Sequence, residues 1–225
     1  MKAFVITLIN KKNSIHSATM LRKSTSMFVE CFPASCPRSV DPEIERKWTY
    51  PWNGDVTQGP EELKLVGYRT ENKKAVIACT MSHMALWQRC VELDEPILIL
   101  EHDAIFIKEL PNDLLERAHP NFGAISINDP RGATRKSLEF YNKCISGPEI
   151  VNRTPYVDDE NVPQGLPGHS AYIIKPWAAK YMLKLIDRYG MWPNDAIMCN
   201  QLFPWLGSTK EFYTTVQNTE STTTQ

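Results

Sequence analysis

The stretch ILILEHDAIF, residues 97–106, constrains the fold of this chain more than any other segment. Four consecutive aliphatic residues predict a strand that is covered on both faces, as in the interior of a parallel sheet. The strand runs directly into Glu101, His102 and Asp103. Either the strand reaches solvent at this point, or these residues form a site for metal or phosphate chemistry at the edge of the sheet.

Segments that resemble strands alternate with segments that resemble helices. Apolar runs predict strands at 3–9, 29–32, 97–100, 122–127 and 171–174, and three- and four-residue spacing predicts helices at 16–27, 73–93, 114–118, 177–189 and 195–203. This alternation predicts an α/β fold with a mostly parallel sheet flanked by helices. In such sheets ligands bind at the carboxyl ends of the strands. Three predicted strands end in polar residues, near Asn10, Asp103 and Asp129, which favours a polar cleft.

Composition narrows the class of protein. The 225 residues have a formal net charge of −1, so no overall field attracts nucleic acid or an anionic membrane. The apolar run that begins at residue 3 is too short for a signal peptide or a transmembrane helix, and no longer run follows. The six cysteines show no C-x-x-C spacing, which is typical of free thiols in a reducing compartment. We therefore expect a cytoplasmic protein that is soluble or peripheral to the inner membrane.

Two long segments, 33–70 and 131–167, show no sustained periodicity. We expect them to be irregular loop regions over the cleft of a single domain at 1–217, followed by a polar tail at 218–225. The first segment is rich in aromatic residues: Trp48, Tyr50, Trp52 and Tyr68. These rings either stack on a sugar or a nucleobase, or they form a small satellite core.

The acidic strand end favours a metal ion. On a regular strand Glu101 and Asp103 point to the same face, and His102 points to the opposite face. Two converging carboxylates repel each other unless a cation, a proton or solvent lies between them. A hard divalent ion such as Mg²⁺ or Mn²⁺ suits them better than Zn²⁺ does. The alternative is a solvated strand end, which the preceding aliphatic residues disfavour because they indicate an inner strand.

The segment IACTMSHMALWQRCVELDEPILILEHDAIF, residues 77–106, resembles glycosyltransferase family 25, the lipooligosaccharide and collagen galactosyl- and glucosyltransferases. It is similar to that family's Gly-Cys-x-x-Ser-His-x-x-x-Trp helix and Leu-Glu-Asp-Asp-Ala strand end. The segment GHSAYIIKPWAAKYML, residues 168–183, is similar to a later strand and helix of the family. His102 departs from the family, which usually has Asp there. The resemblance implies a GT-A fold, a Rossmann-like sheet that binds a nucleotide-sugar, usually a uridine diphosphate (UDP) sugar, with Mn²⁺ or Mg²⁺.

The resemblance also implies roles at the donor site. Thr7, Leu8 and Asn10 would lie near the base of the nucleotide, mainly through backbone groups. Arg22 either faces the diphosphate or projects into solvent, where an isolated helical arginine is usually found.

The motif residues complete this implied site. Ser82 and His83 lie on the predicted helix that precedes the strand ending in Glu101. His83 either contacts the donor or is a buried structural histidine. Asp103 would ligate the cation directly, and Glu101 would contact the ribose or a water on the metal. His169 is a candidate third ligand, although a lone histidine is usually not one.

The candidate catalytic base is Asp195, in the segment WPNDAIM. A positioned carboxylate can take the proton of the acceptor hydroxyl, but Asp195 or Asn194 is equally well placed as a helix N-cap. The predicted function is metal-dependent transfer of a hexose from a UDP-sugar, with inversion, to a hydroxyl of a surface glycan such as lipopolysaccharide. One alternative is a phage-type enzyme that glycosylates hydroxymethylated DNA bases. Another is a non-catalytic nucleotide- or glycan-binding module, which His102 favours.

Overall fold

The computed structural model describes residues 1–132 and 136–217. The strands in these ranges are β1 (Lys2–Thr7), β2 (Val29–Pro33), β3 (Val56–Gln58), β4 (Lys64–Val66), β5 (Ile97–Glu101), β6 (Ala104–Phe106), β7 (Ala124–Ser126), β8 (Val151–Arg153), β9 (Ala171–Ile174), β10 (Leu206–Thr209) and β11 (Thr214–Val216). The helices are α1 (Lys12–Lys23), α2 (Pro42–Arg46), α3 (Lys73–Leu93), α4 (Leu114–Arg117), α5 (Ser137–Ile145), α6 (Pro176–Tyr189) and α7 (Asn194–Ile197). The tail expected at 218–225 lies outside the described residues.

Seven strands form the central sheet in the order β2-β1-β5-β9-β7-β10-β8. β1 pairs in parallel with β2 and β5, and β7 pairs in parallel with β10. β9 is antiparallel to both β5 and β7, and β8 is antiparallel to β10. The predicted α/β fold with a mostly parallel sheet is confirmed, with the addition that an antiparallel strand lies at its centre.

Helices cover both faces of β5. Ile97 and Ile99 belong to the core cluster that includes residues of α3 and α6, whereas Leu98 and Leu100 pack in the cluster that includes residues of α1. All four side chains are fully buried. β5 is therefore an inner strand, as its aliphatic run predicts, and its polar end is not the end of a solvated edge strand.

The segment 33–70 contains more regular structure than its sequence suggests. Asp41 caps α2, because its carboxylate accepts hydrogen bonds from the backbone N–H groups of Glu43 and Ile44. β3 and β4 form a separate two-stranded sheet. Trp48 and Tyr50 are buried in the same core cluster as α3, so the packing of this segment is continuous with the main core.

Several element boundaries differ from prediction. α1 begins at Lys12 and ends at Lys23, earlier than the predicted 16–27. α7 is a single turn at Asn194–Ile197, where a helix over 195–203 was expected. The residue patterns do not predict α5 or the short strands β6, β8, β10 and β11. Strands of three or four residues are too short to establish an alternation of apolar and polar positions.

The structure also describes the state of the cysteines and the character of the helices. The six cysteines are all free thiols. Within the described ranges, no helix combines the length and the apolar character that crossing a membrane requires.

Candidate active site

α3 and β5 bring the main polar residues together. Asn72 begins α3 by accepting a hydrogen bond from the backbone N–H of Ala75, and the helix then continues for 21 residues. Cys79, His83 and Trp87 recur at four-residue spacing, so they lie along one side of the helix. This spacing places Cys79 and His83 beside Glu101 at the end of β5.

The chain turns immediately after Glu101, so β5 does not extend to Asp103. The strand alternation used to place Glu101 and Asp103 on one face therefore does not apply beyond Glu101. Gln217 holds this turn: its backbone N–H donates to the carbonyl of Asp103 at 2.6 Å, and its side-chain amide donates to the carbonyl of Ala104 at 2.9 Å. The same amide donates to the carbonyl of Ser17 on α1, which ties the turn to the helix.

A cavity of about 180 Å³ opens beside the end of β5. Its polar lining includes Glu101, His169, Asp195, Cys79 and Asn194. These residues come from α3, β5, the segment before β9 and α7. The fold therefore brings three of the predicted site residues, Glu101, His169 and Asp195, to one cavity.

A buried hydrogen-bond network connects Glu101 to the core. We call Trp87, Tyr172, His83 and Glu101 the four-residue network. The indole Nε1 of Trp87 donates to the hydroxyl of Tyr172 at 2.9 Å, and this hydroxyl lies 2.9 Å from Nδ1 of His83. Nε2 of His83 lies 3.2 Å from Oε1 of Glu101. Burial lowers the pKa of His83 to about 3, so the ring is neutral at physiological pH.

Burial disfavours negative charge around the cavity. It raises the pKa of Glu101, and it raises the pKa of Asp103 to about 6 together with a contribution from the charge of Glu101. Asp195 has solvent-accessible atoms at the cavity, but protein surrounds its carboxylate on the other sides. This partial desolvation, together with the charge of Glu101, raises the pKa of Asp195 to about 6 as well. Three carboxylates that resist ionisation near one another form a site that favours a cation.

Several buried polar atoms here have no hydrogen-bond partner among the described residues: Oδ1 of Asp103 and both ring nitrogens of His169. A buried polar atom without a partner is costly unless a ligand meets it. With Glu101 they include oxygen and nitrogen donors of the kind that suit Mn²⁺ or Mg²⁺, but within the described residues the ligand atoms of Glu101, Asp103 and His169 do not all lie within 4.8 Å of one another. Cys79, His83 and Glu101 provide a second, softer set, with ligand atoms within 4.8 Å of one another.

The profile of glycosyltransferase family 25 (LPS biosynthesis protein) matches residues 61–198. The chain belongs to glycosyltransferase family 25. The match includes α3, the end of β5 and α7, so it covers most of the residues that line the cavity. No curated protein sequence matches the chain.

This family 25 glycosyltransferase is also similar to solved structures, each at 12% sequence identity. An active-site mutant of LgtC gives a TM-score of 0.46 and covers 92% of this chain and 72% of its own. Mouse xyloside xylosyltransferase 1 in its apo form gives 0.45, with 91% and 83% covered. Galactosyltransferase LgtC in complex with donor and acceptor sugar analogues gives 0.42, with 92% and 73% covered. None of these similarities assigns a role to a residue of this family 25 chain.

Three residues that the family resemblance places near the nucleotide base lie at the end of β1 or just after it, and they do not line the cavity. The hydroxyl of Thr7 is buried and donates to the carbonyl of Val5. The backbone N–H of Leu8 donates to the hydroxyl of Ser14, and Asn10 is exposed.

Arg22 and Ser82 also lie apart from the cavity. Arg22 lines a separate surface depression with Lys23 and Phe28, and its guanidinium lies 3.8 Å from the sulfur of Cys31. Ser82 is buried on α3, where its hydroxyl accepts a hydrogen bond from the backbone N–H of Ser35 at 2.9 Å. Ser82 thus anchors the segment after β2 to α3 in this family 25 enzyme.

The N-cap interpretation of Asp195 and Asn194 is wrong. Pro193 occupies the cap position of α7, and no side chain makes a cap hydrogen bond there. A carboxylate engaged as a cap would have fewer lone pairs free to accept a proton. The structure therefore shows Asp195 without a capping hydrogen bond, and burial raises its pKa by more than the backbone N–H groups of Asp195 and Ala196 lower it.

The aromatic residues of 33–70 divide between core and cavity. Trp48 and Tyr50 are buried in the core, and Trp48 stacks on Trp52 with ring centroids 4.7 Å apart. Tyr68 lines the cavity. Residue spacing did not identify Tyr172 or Gln217, although Cys79 could have been found from its i, i+4 spacing to His83 on a helix.

Proposed function

We propose that this glycosyltransferase moves a hexose from a UDP-sugar, with inversion, to a hydroxyl of a surface glycan such as lipopolysaccharide. The observation that supports this most strongly is the grouping of Glu101, Asp195 and His169 around one cavity, where the His169 ring has no hydrogen-bond partner among the described residues. The proposal treats 1–217 as one catalytic domain. The two long segments 33–70 and 131–167 then border the cavity, each through at least one lining residue.

We propose that Glu101, Asp103 and His169 hold a divalent cation, Mn²⁺ or Mg²⁺. Two facts support this: the raised pKa values of the two carboxylates, and the absence of a hydrogen-bond partner for Oδ1 of Asp103 and for the His169 ring within the described residues. When bound, such an ion would neutralise negative charge that develops on the leaving diphosphate. Asp103 supplies a buried oxygen, and Glu101 supplies the oxygen that His83 does not occupy.

Asp195 is the proposed general base. Its carboxylate faces the cavity, and a pKa of about 6 allows it to be ionised at neutral pH and still accept a proton late in the reaction. The acceptor oxygen bonds to the anomeric carbon as the bond from that carbon to the diphosphate oxygen breaks. The electron pair leaves with UDP, and the hydroxyl proton goes to Asp195. A single displacement of this kind inverts the anomeric configuration.

The test combines turnover with product stereochemistry. The full chain is incubated with Mn²⁺, a panel of UDP-α-hexoses and, in separate reactions, a truncated lipopolysaccharide core or DNA with hydroxymethylated bases. The anomeric configuration of the product is read by proton NMR. We expect a β-linked product and stoichiometric release of UDP. An α-linked product would contradict the inverting mechanism. A product only on hydroxymethylated DNA would contradict the proposed acceptor, and donor binding without any turnover would contradict transfer itself.

A further inference from the structure

We propose that Trp87 and Tyr172 are positioning residues for the cation and donor site. They fix His83 in the tautomer that donates its Nε2–H to Glu101. This inference rests on the proposed function, because it assumes that Glu101 serves the cation. Neither residue lines the cavity; Tyr172 reaches the site through its hydroxyl, which contacts His83, and through its ring, whose centroid lies 4.6 Å from that of His169 and which Tyr172→Phe keeps.

The donors and acceptors of the network determine the direction of each hydrogen bond. The indole of Trp87 can only donate, so the hydroxyl oxygen of Tyr172 accepts at 2.9 Å. As a ligand of the cation Glu101 is ionised, and an ionised carboxylate can only accept, so Nε2 of His83 then donates to Oε1 of Glu101 at 3.2 Å. A neutral ring protonated on Nε2 has a free lone pair on Nδ1, which accepts the hydroxyl hydrogen of Tyr172 at 2.9 Å.

Burial and ring packing hold the side chains of this network in place. The side chains of Trp87, Tyr172 and His83 are fully buried, so no bulk water competes for their hydrogen bonds. The rings of His83 and Tyr172 are stacked, with centroids 5.8 Å apart and planes 14° apart, which limits rotation of the imidazole. Oε1 of Glu101 is therefore held toward α3, and the second carboxylate oxygen is the one available to the cavity.

The opposite tautomer leaves the network poorly satisfied. A proton on Nδ1 of His83 would direct a second donor at the Tyr172 oxygen, in addition to Trp87. The Nε2 lone pair would then face the carboxylate oxygen of Glu101 at 3.2 Å. This arrangement would free Nε2 to ligate a soft metal with Cys79 and Glu101, whose ligand atoms lie within 4.8 Å of it. The tautomer of His83 therefore distinguishes a positioning network from a cysteine-containing metal site.

NMR of the full chain with ¹⁵N-labelled histidine tests the assignment directly. Couplings between ring nitrogens and ring carbon-bound protons show which nitrogen bears the proton. The chain has five histidines, and the signals of His83 are identified by their loss in His83→Gln. We expect the proton on Nε2 in the wild type and a minor population with the proton on Nδ1 in Trp87→Phe, because the Tyr172 hydroxyl then lacks the donor that directs its hydrogen toward Nδ1. We expect a mixture of tautomers in Tyr172→Phe.

Calorimetry of Mg²⁺ binding in the presence of UDP supplies the second measurement. Loss of a residue that orients a metal ligand typically weakens metal binding about tenfold or more, and we expect this for Tyr172→Phe. Tyr213→Phe is the control, since Tyr213 is a buried tyrosine in the core cluster on the other face of the sheet. That variant should bind Mg²⁺ as the wild type does.

Two results would overturn the inference. One is a wild-type His83 with its proton on Nδ1. The other is a folded Tyr172→Phe that keeps both the wild-type tautomer and the wild-type Mg²⁺ affinity. A wild-type chain that has the Nε2 proton but binds no Mg²⁺ would contradict the proposed function on which the inference rests. The tautomer and the cation measurement thus separate the two failures without using turnover.

Discussion

Asp195 and Glu101 line the same cavity, and the negative charge of Glu101 acts with burial to raise the pKa of Asp195 to about 6. These residues lie 94 positions apart in the sequence, one on the turn α7 and one at the end of β5. Their charges are coupled because the fold brings both elements to one rim of the sheet. A cation held by Glu101 would ease the ionisation of Asp195, which links the two proposed roles.

Replacement of Asp195 by Asn should remove the base and leave the shape of the cavity unchanged. We expect kcat to fall about 10²- to 10⁴-fold, the usual contribution of general base catalysis, while KM for the donor changes little. Asp187→Asn is a matched control, because Asp187 is exposed on α6 outside the cavity. A value of kcat for Asp195→Asn within a few-fold of the wild type would show that another group accepts the proton.

The raised pKa values of Asp103 and Asp195 predict a specific dependence of stability on pH. Each has a pKa of about 6 in the folded protein and 3.8 as a free side chain, so the folded state binds more protons between these values. Their contribution to the free energy of unfolding is therefore greatest below about pH 4 and is lost as the pH rises through about 6. Thermal unfolding at about pH 5 and about pH 7.5 measures it.

The variants isolate this effect from other titrating groups. The loss of stability between the two pH values should be smaller in Asp103→Asn than in the wild type, and unchanged in Asp187→Asn. An equal loss in Asp103→Asn would mean that Asp103 ionises normally in the folded protein.

Gly165 is packed against the backbone of the proposed base. A Cβ at this position would overlap the carbonyl oxygen of Asp195 and would approach the carbonyl oxygen of Met198 to 3.2 Å. Gly165→Ala should therefore displace α7, with a loss of about 1–3 kcal/mol in the free energy of unfolding. Because small displacements of catalytic groups are costly, we expect kcat to fall roughly tenfold to a hundredfold.

Gly123→Ala is the control for Gly165→Ala. Its Cβ would overlap side chains of Phe203 and Trp177, each at 2.7 Å, outside the cavity. Gly123→Ala should lower the free energy of unfolding, while the kcat of the folded protein stays at the wild-type value. Equal loss of kcat in both variants would contradict a specific effect on Asp195.

Gln217 should support the acidic turn through its side-chain amide. Gln217→Ala removes the bonds to the carbonyls of Ala104, Ser17 and His102, while its backbone bond to Asp103 can remain. We expect weaker Mn²⁺ binding in the presence of UDP, by about tenfold, since outer contacts orient the ligands of a metal. Gln88→Ala, on the exposed face of α3, should bind Mn²⁺ normally. Unchanged binding in Gln217→Ala would show that the turn is rigid without this amide.

The sequence predicts the parts of the fold that rest on local patterns. The aliphatic run of β5 identifies an inner strand, and the spacing of α3 identifies the helix that supports His83. The antiparallel direction of β9 could not be predicted, because a strand that is buried on both faces reads the same in either direction. The strands β6 and β11 were missed because they have three residues each.

The site was harder to predict than the fold, because it is formed largely by contacts between residues that are distant in sequence. Glu101 and Asp103 were identified from the acidic end of a buried strand. Tyr172 reads as an ordinary core residue of β9, and its hydroxyl becomes meaningful only when Trp87 and His83 meet it from α3. Gln217 contacts Ser17 across 200 residues, and no spacing in the sequence could indicate that contact.

The most direct test of the central claim is Mn²⁺-dependent release of UDP by the wild type and by Glu101→Gln, which keeps the shape of the side chain but removes its charge. We predict that the wild type releases UDP from a UDP-sugar in the presence of acceptor only when Mn²⁺ or Mg²⁺ is supplied. Glu101→Gln should need a much higher concentration of Mn²⁺ for half-maximal release. Equal Mn²⁺ dependence of the two proteins, or full release by the wild type in excess chelator, would contradict the claim that this carboxylate holds a catalytic cation.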